Sequence, residues 1–221
     1  YKEGADLVDI AHRLAEQGIV AVRFTASGFG DSEGILSDDY RFSNQRKDAE
    51  SIYSYVSKLP YIDSTKMGVY GHSMGGKLAV LFSYDHADVQ ALCIASAPVE
   101  FSGTSYGDLE EEWKKKGYFE KVSGRDGKTI RVSYEYRIDA DSTRHDVLEA
   151  ARHVVRPHAL VIAGKADTEV PWQETEKIYS SLGCSKEFLL IKELPHKYAQ
   201  YFEILNKVNQ RITDFFVTYL R

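Results

Sequence analysis

The sequence predicts an α/β protein with a mostly parallel, doubly wound sheet and helices on both faces. Three observations lead to this class. Short apolar runs alternate with segments of helical periodicity along most of the 221 residues. The apolar runs are continuous, as in strands that are buried on both faces. An apolar content of 43% supplies enough side chains to bury a core around such a sheet.

The elements of the first half follow from this periodicity. Leu7, Ile10 and Leu14 stand at helical spacing, and Gly18 ends that helix. The β-branched run after Gly18 predicts a strand, and Pro60 ends the second helix. The elements predicted here are a helix at 4–17, a strand at 19–24, a helix at 49–59, a strand at 67–70 and a helix at 75–84.

The second half repeats the alternation after an interruption. Its predicted elements are strands at 89–95, 159–163 and 188–191, and helices at 172–182 and 198–220. The interruption, residues 99–157, is polar and tyrosine-rich and is called the insertion below. A stretch this long within an α/β unit usually has structure of its own and often forms a lid. We therefore expect a core of residues 1–98 and 158–221 and a lid of residues 99–157.

The insertion has local patterns of its own. Residues 109–116 are charged with helical character, and residues 146–154 are helical again. Between them we expect strands at 118–123 and 129–137, joined by a Gly-Arg-Asp-Gly turn at 124–127. The insertion is therefore predicted to hold a β-hairpin between two helices.

Composition excludes several classes of function. Lys and Arg number 28 against 33 Asp and Glu, a net charge of −5, so no nucleic-acid surface is expected. Two cysteines cannot build a disulfide scaffold, and no metal-ligand spacing occurs, so we expect no metal and no cofactor. No apolar run approaches the ~18 residues of a membrane span. Two cysteines without a signal-like segment favour a cytoplasmic location, and a homodimer stays open.

Residues 71–75 have the pattern Gly-x-Ser-x-Gly where a predicted strand runs directly into a helix. A nucleophilic serine on so sharp a turn needs small neighbours two residues before and two after it. The turn exposes the Ser73 hydroxyl and puts the Met74 amide at a helix N-terminus, which favours negative charge. The alternative is a glycine-rich turn without catalysis, such as a phosphate-binding loop.

Asp167 and His196 each follow a predicted strand, so both lie at the carboxyl ends of strands, where open α/β sheets place their sites. Together with Ser73 they give the chain order serine, acid, histidine, which one class of serine hydrolases shares. Each residue alone has another interpretation. Asp167 could cap the following helix, and His196 could be an ordinary loop histidine.

These segments resemble the α/β-hydrolase superfamily, in the branch of monoacylglycerol-lipase-like and cinnamoyl or feruloyl-esterase-like serine hydrolases. The resemblance is carried by VRFTASGFGDSEG at 22–34, GHSMGG at 71–76, AGKADTEVP at 163–171, and His196. It covers nearly the whole chain apart from the insertion. One departure is Thr-Ala-Ser at 25–27, where relatives usually carry an acidic residue and an arginine, so a supporting salt bridge is not expected here.

The resemblance and the chemistry assign roles to the site residues. Ser73 Oγ is the expected nucleophile, His196 the base and then the acid, and Asp167 the group that orients the imidazole. The Met74 N–H is the expected first donor of the oxyanion hole. His72, the residue before the nucleophile, is predicted to pack rather than act as a general base, and it is also a candidate for substrate contact.

The resemblance also implies a second oxyanion donor, from a loop just before the first helix of this chain. No such segment occurs in the sequence, which begins at Tyr1 rather than Met. We expect this donor, and the first strands of the sheet, in an N-terminal segment of ~30 residues upstream of Tyr1.

Aromatic residues of the insertion suggest a substrate pocket. The candidates are Tyr106, Tyr118, Phe119, Tyr134 and Tyr136, of which Tyr134 and Tyr136 share one face of the predicted strand. Packing of the hairpin onto the core is an equal alternative for each of them.

The sequence thus predicts a serine carboxylic-ester hydrolase that forms an acyl-enzyme. Its expected substrates are small to medium esters, including hydroxycinnamoyl-type aromatic esters and monoacylglycerols. Three alternatives stay open. The chain could be a serine peptidase or an acyltransferase with the same residues, or a non-catalytic binding protein of this fold.

Overall fold

The structure is a computed structural model that describes residues 2–101, 104–105, 107–122, 127 and 129–221. The helices are α1 (Ala5–Glu16), α2 (Leu36–Asp39), α3 (Phe42–Val56), α4 (Met74–Asp85), α5 (Glu110–Lys116), α6 (Tyr134–Ala140), α7 (Val147–His153), α8 (Trp172–Ser181) and α9 (Phe202–Leu220). The strands are β1 (Met67–His72), β2 (Val89–Ala95), β3 (Tyr118–Val122), β4 (Thr129–Ser133), β5 (His158–Gly164) and β6 (Lys186–Ile191).

The central sheet has the strand order β1-β2-β5-β6, and every neighbouring pair is parallel. Both of its faces are buried. Successive side chains of a strand point to opposite faces, so neighbouring residues of one strand belong to different apolar clusters. Cys93 and Leu160 face a cluster completed by α1 and α9, and Leu92 and Val161 face a cluster completed by α4, α7 and α8. The predicted fold class, an α/β sheet with helices on both faces, is confirmed.

Residues 19–24 do not form the predicted strand, and that prediction is wrong. Within the described part of the chain no strand pairs with this run, and Val20 and Val22 are about half exposed, at 54% and 50%. Ile19 and Ala21 still pack against the apolar cluster beneath α1. A β-branched run favours extended backbone, but a strand also needs a neighbour to complete its hydrogen-bond ladder.

The glycine-rich loop after this run is fixed by a carboxylate of α3. Asp48 accepts hydrogen bonds from the backbone N–H and the hydroxyl of Ser27, at 2.8 and 2.6 Å. Gly28 has a φ of +75°, and a side chain there would approach the Tyr40 backbone N to 2.8 Å. Hydrogen bonds between a serine and a carboxylate therefore hold the loop at residues 25–27, where the expected salt-bridge residues do not occur.

The insertion contains the expected hairpin, since β3 and β4 pair antiparallel. The prediction of strand up to residue 137 is wrong, because β4 ends at Ser133 and α6 begins at Tyr134. The Ser133 side chain accepts the Glu135 N–H and caps the new helix. The predicted turn lies outside the described residues except for Gly127, and Tyr106 also lies outside them.

The last helix of the insertion belongs to the packing of the sheet. Val147, Ala151 and Val154 are buried in the cluster that contains Leu92 and Val161. The division into core and lid stays a prediction. Among the described residues, no helix combines the length and apolar character needed to cross a bilayer.

Candidate active site

Ser73 occupies the sharp turn between β1 and α4. Its backbone has φ 57° and ψ −129°, a conformation that costs a non-glycine residue about 1–3 kcal/mol. The Ser73 N–H donates to the Ala95 carbonyl at 2.9 Å, and its carbonyl accepts the Gly76 N–H at 2.8 Å. These bonds on both sides hold the strained turn in place and set the direction of the Ser73 side chain.

The glycines around Ser73 do not all serve the same purpose. A Cβ on Gly71 would lie 2.0 Å from the Gly75 carbonyl oxygen, so the predicted need for a small residue holds there. A Cβ on Gly75 would meet no atom within 4 Å, so the same prediction is wrong for Gly75. Space is instead limited at Gly76, where a Cβ would lie 2.6 Å from the Cβ of Ala97.

His196 bridges the other two residues of the predicted site. Its Nδ1 lies 2.9 Å from Asp167 Oδ2, and its Nε2 lies 3.1 Å from Ser73 Oγ. A carboxylate only accepts hydrogen bonds, so the neutral ring carries its proton on Nδ1 and Nε2 is free to accept the Ser73 hydroxyl proton. The structure thus brings together Ser73, Asp167 and His196 from the ends of β1, β5 and β6.

Asp167 is held as an anion although its side chain is fully buried. Burial opposes its ionisation, but the hydrogen bond from His196 and those from the backbone of Val170 and the Ser96 side chain outweigh it. The pKa of Asp167 is therefore lower than usual. Its Oδ1 accepts the backbone N–H groups of Glu169 and Val170 at 2.9 and 2.8 Å, so it caps its own turn.

The loops that carry Asp167 and His196 touch each other through a glycine. A Cβ on Gly164, the last residue of β5, would lie 2.0 Å from the carbonyl oxygen of Leu194. Only a residue without a side chain lets the loop after β6 come this close to the end of β5. Gly164 therefore sets the separation between the loops of Asp167 and His196.

Met74 is the first residue of α4, directly after Ser73. Amides in the first turn of a helix have no acceptor within their own helix, and the helix dipole there favours negative charge. The Met74 N–H is thus available for an oxygen that gains negative charge next to Ser73. Its use in an oxyanion hole stays a prediction.

Two tyrosines predicted to contact substrate lie on α6 rather than on one face of a strand. The Tyr134 hydroxyl donates to Glu110 Oε1 at 3.0 Å. Tyr136 is buried and stacks on Tyr40 with ring centroids 4.7 Å apart. These contacts fix both rings within the insertion and its neighbours, and a role in substrate binding stays a prediction for both.

Two other aromatic residues considered for the substrate pocket, Tyr118 and Phe119, also have contacts in the insertion. The Tyr118 ring lies beneath Arg131, with the guanidinium carbon 4.7 Å from the ring centroid. Phe119 packs edge-on against the buried Trp113, at 4.6 Å between centroids. These contacts lie within the insertion, and a role in substrate binding stays a prediction for both rings.

Sequence reasoning missed Ser96, which hydrogen-bonds Asp167. Ser96 follows β2, lies between the ends of β1 and β5, and has a φ of +48°. It belongs to no motif. Its position at a strand end in the middle of the sheet is the one signal that could have identified it.

The sheet, the strand-end positions of the three residues and the turn at Ser73 define an α/β-hydrolase fold. The sequence profile of the prolyl oligopeptidase family matches residues 8–221, and the chain belongs to that family. A curated relative, the uncharacterized protein YfhR of Escherichia coli O157:H7, is 24% identical over 193 residues, which are 83% of this chain and 55% of that protein. The chain spans 23% and 55% of the length of two of the curated relatives that it matches.

Solved structures agree on the fold. A structure of Est1E from Butyrivibrio proteoclasticus with bound ferulic acid superposes with a TM-score of 0.76 at 19% identity. It covers 99% of this chain, which corresponds to 84% of Est1E. The monoacylglycerol lipase of Paleococcus ferrophilus has a TM-score of 0.76 at 16% identity, over 95% of this chain and 87% of the lipase. The resemblance to α/β-hydrolases inferred from the motifs is confirmed.

Proposed function

We propose that the protein hydrolyses carboxylic esters through an acyl-enzyme on Ser73. The observation that carries this proposal is the position of His196, within hydrogen-bond distance of both Ser73 Oγ and Asp167 Oδ2. A serine activated by a histidine that a buried carboxylate orients is a recurrent solution for acyl transfer. Ser73 also stands at a helix N-terminus, where negative charge is favoured.

Acylation begins when Ser73 Oγ attacks the ester carbonyl carbon and its proton passes to His196 Nε2. The carbonyl oxygen becomes an anion and accepts the Met74 N–H, and Asp167 stabilises the charged imidazole. The tetrahedral intermediate then loses its alkoxide, which takes the proton from His196 Nε2 and leaves as the alcohol. The acyl group remains on Ser73.

Deacylation repeats these steps with water. His196 Nε2 takes a proton from a water molecule, whose oxygen attacks the acyl carbon of the ester on Ser73. The second tetrahedral intermediate releases Ser73 Oγ, which recovers its proton from His196. The carboxylic acid departs, and the three residues return to their starting protonation states.

The proposed substrates are small to medium esters, including aromatic and monoacylglycerol esters. Met74 and Leu78, on the first turns of α4, pack against the aromatic cluster of the insertion that contains Phe101, Trp113 and Tyr136. This contact supports the insertion as a wall of the acyl or alcohol site. Est1E with ferulic acid and the monoacylglycerol lipase have the same fold, which is consistent with these two classes.

A second candidate function is peptide hydrolysis, which the family match favours. The same serine, base and acid cleave amides when the base protonates the leaving amine. Ester and peptide substrates of matched side chains therefore need to be compared directly. Higher turnover of the peptide would favour this second candidate.

The test measures turnover of p-nitrophenyl acetate and butyrate by the full-length protein and by Ser73→Ala. Removal of the nucleophile is expected to lower kcat by roughly 10⁶-fold, the order of magnitude that loss of a catalytic serine costs. The matched control is Ser83→Ala, a buried serine on the same helix α4. Ser83→Ala should retain activity, which would show that the loss in Ser73→Ala comes from removal of the nucleophile.

A fluorophosphonate probe gives a second readout, because it forms a covalent bond only with an activated serine. Wild-type protein should carry the probe on Ser73, and Ser73→Ala should carry none. Equal turnover by wild type and Ser73→Ala, together with an unlabelled wild type, would end the enzyme proposal and leave the fold as a binding scaffold.

A further inference from the structure

His72 is the last residue of β1 and lies against the proposed base. The centroids of the His72 and His196 rings are 4.8 Å apart, with 40° between their planes. A second contact is with Tyr198, whose ring meets His72 edge-on with the centroids 5.7 Å apart. The two partners come from the loop after β6, so His72 connects β1 to the loop that carries His196.

The two ring nitrogens of His72 differ in their hydrogen bonding. The ring bonds to the backbone of His196. Its Nε2 is closed off from solvent and has no hydrogen-bond partner among the described residues. The bond to His196 therefore comes from Nδ1. The one N–H group of the neutral His72 ring thus donates to the main chain of the proposed base.

Burial and the neighbouring His196 lower the pKa of His72 to about 3, so its ring is neutral at physiological pH. A neutral ring is compatible with the imidazolium that His196 becomes during acylation, whereas a charged one would repel it. His72 therefore adds no positive charge to the site. Its effect on His196 is one of position.

We propose that His72 is a positioning residue: its ring and its Nδ1 hydrogen bond hold the His196 imidazole where it reaches Ser73 and Asp167 at once. The proposal rests on the proposed function, since it concerns the same base. On its loop His196 lies between buried Leu194 and buried Tyr198, with Lys197 exposed next to it. The contact with His72 adds a direct contact between the His196 ring and the end of β1.

The consequence is a specific kinetic pattern. A displaced base weakens proton transfer in the transition state but leaves the substrate contacts in place, so kcat falls while KM does not change. Misplacement of a reacting group by about 1 Å costs about 100-fold in rate. His72 variants should therefore lower kcat by about 10- to 100-fold with KM within about twofold of wild type.

The experiment compares His72→Asn with His72→Gln and His72→Leu in the full-length protein. The Asn amide N–H stands where Nδ1 stood, while the Gln amide N–H stands where Nε2 stood. His72→Asn should keep kcat within about threefold of wild type, whereas His72→Gln and His72→Leu should not. The control is His153→Leu, an exposed histidine on α7, which should leave kcat unchanged.

The outcomes separate the inference from the proposed function. A wild-type protein that neither turns over esters nor binds the fluorophosphonate contradicts the proposed function. An active wild type with equal kcat in the Asn and Gln variants, or with a changed KM and an unchanged kcat, overturns the role of His72. Should the Leu variant fail to fold, the Asn and Gln pair decides alone.

Discussion

Different interactions stabilise the sheet and the insertion. The sheet buries apolar side chains on both faces, and its central strands β2 and β5 are almost completely inaccessible. The insertion is joined to α4 by buried charges in addition to apolar contacts. Lys77 Nζ donates to the Ala140 carbonyl at 2.8 Å and lies 3.6 Å from Asp141, which pairs with Arg137 at 3.0 Å.

The difference teaches where single substitutions matter most. Apolar burial is spread over many side chains, so each one contributes a part of the total. A buried ion pair concentrates its effect in two or three groups, because removal of one partner leaves the other charged and unsolvated. Substitutions in the insertion should therefore lower stability most at a few buried polar positions. In the sheet they should do so at positions where the backbone leaves no space for a side chain.

The largest effect is expected for Asp141→Asn. Its side chain is only 6% exposed and faces Lys77, which is 1% exposed, and Arg137. Loss of the carboxylate charge should lower the free energy of unfolding by about 3–5 kcal/mol, measured by urea denaturation. Lys77→Met should cost less, because Asp141 keeps Arg137 and the apolar Met fills the space. Equal losses in the two variants would contradict the ion-pair account.

A smaller effect is expected at the turn of the sheet, where Gly71 and Gly75 form a matched pair. Gly71→Ala pushes a Cβ against the Gly75 carbonyl and should lower the free energy of unfolding by about 1–3 kcal/mol. Gly75→Ala meets nothing and lies on α4, so it should raise stability by up to about 1 kcal/mol. Thermal unfolding of both variants tests this. The idea fails if Gly75→Ala destabilises as much as Gly71→Ala.

The smallest effect concerns pH and His145, a buried histidine of the insertion. Burial and the nearby Arg46 lower the pKa of His145 from 6.5 to about 4, although Asp139 opposes this. Between those values the unfolded chain binds a proton and the folded one does not, so stability falls as the pH falls. At pH 5 this loss amounts to about 1–2 kcal/mol.

The test compares urea unfolding at pH 7 and pH 5 for wild type and His145→Gln. The substitution removes the titrating group, so the variant should lose about 1–2 kcal/mol less than wild type between the two pH values. His72, whose pKa is also lowered, is present in both proteins and cancels in the comparison. An identical loss in both proteins would exclude His145 as the source.

The elements predicted most accurately are those fixed by their own side chains. The prediction for β2 has the same bounds as the strand, because residues 89–95 are apolar and buried except for the exposed Gln90. The three residues of the candidate site were also located by their positions at strand ends, and they meet through hydrogen bonds in the structure. Their catalytic roles stay predictions until the variants are measured.

The elements predicted wrongly depend on partners that a local pattern does not contain. Residues 19–24 have strand composition, but no described strand pairs with them. Residues 134–137 alternate like a strand, but the Ser133 side chain caps a helix there. The role of Ser96 depends on which strands are neighbours. These three features follow from the assembled molecule rather than from any segment read alone.

The position of β6 has a consequence for the lifetime of the proposed active state. In the described part of the chain β6 pairs with β5 alone, and the loop of His196 begins where β6 ends. Strands with a single neighbour belong to the parts of a protein that open at lower free energy than its centre. A brief detachment of β6 would carry the base away while Ser73 and its turn stay intact. The molecule would then be folded and inactive at the same time. In the described part of the chain β1, which leads to Ser73, also has one neighbour, so detachment of either outer strand would separate the base from the nucleophile.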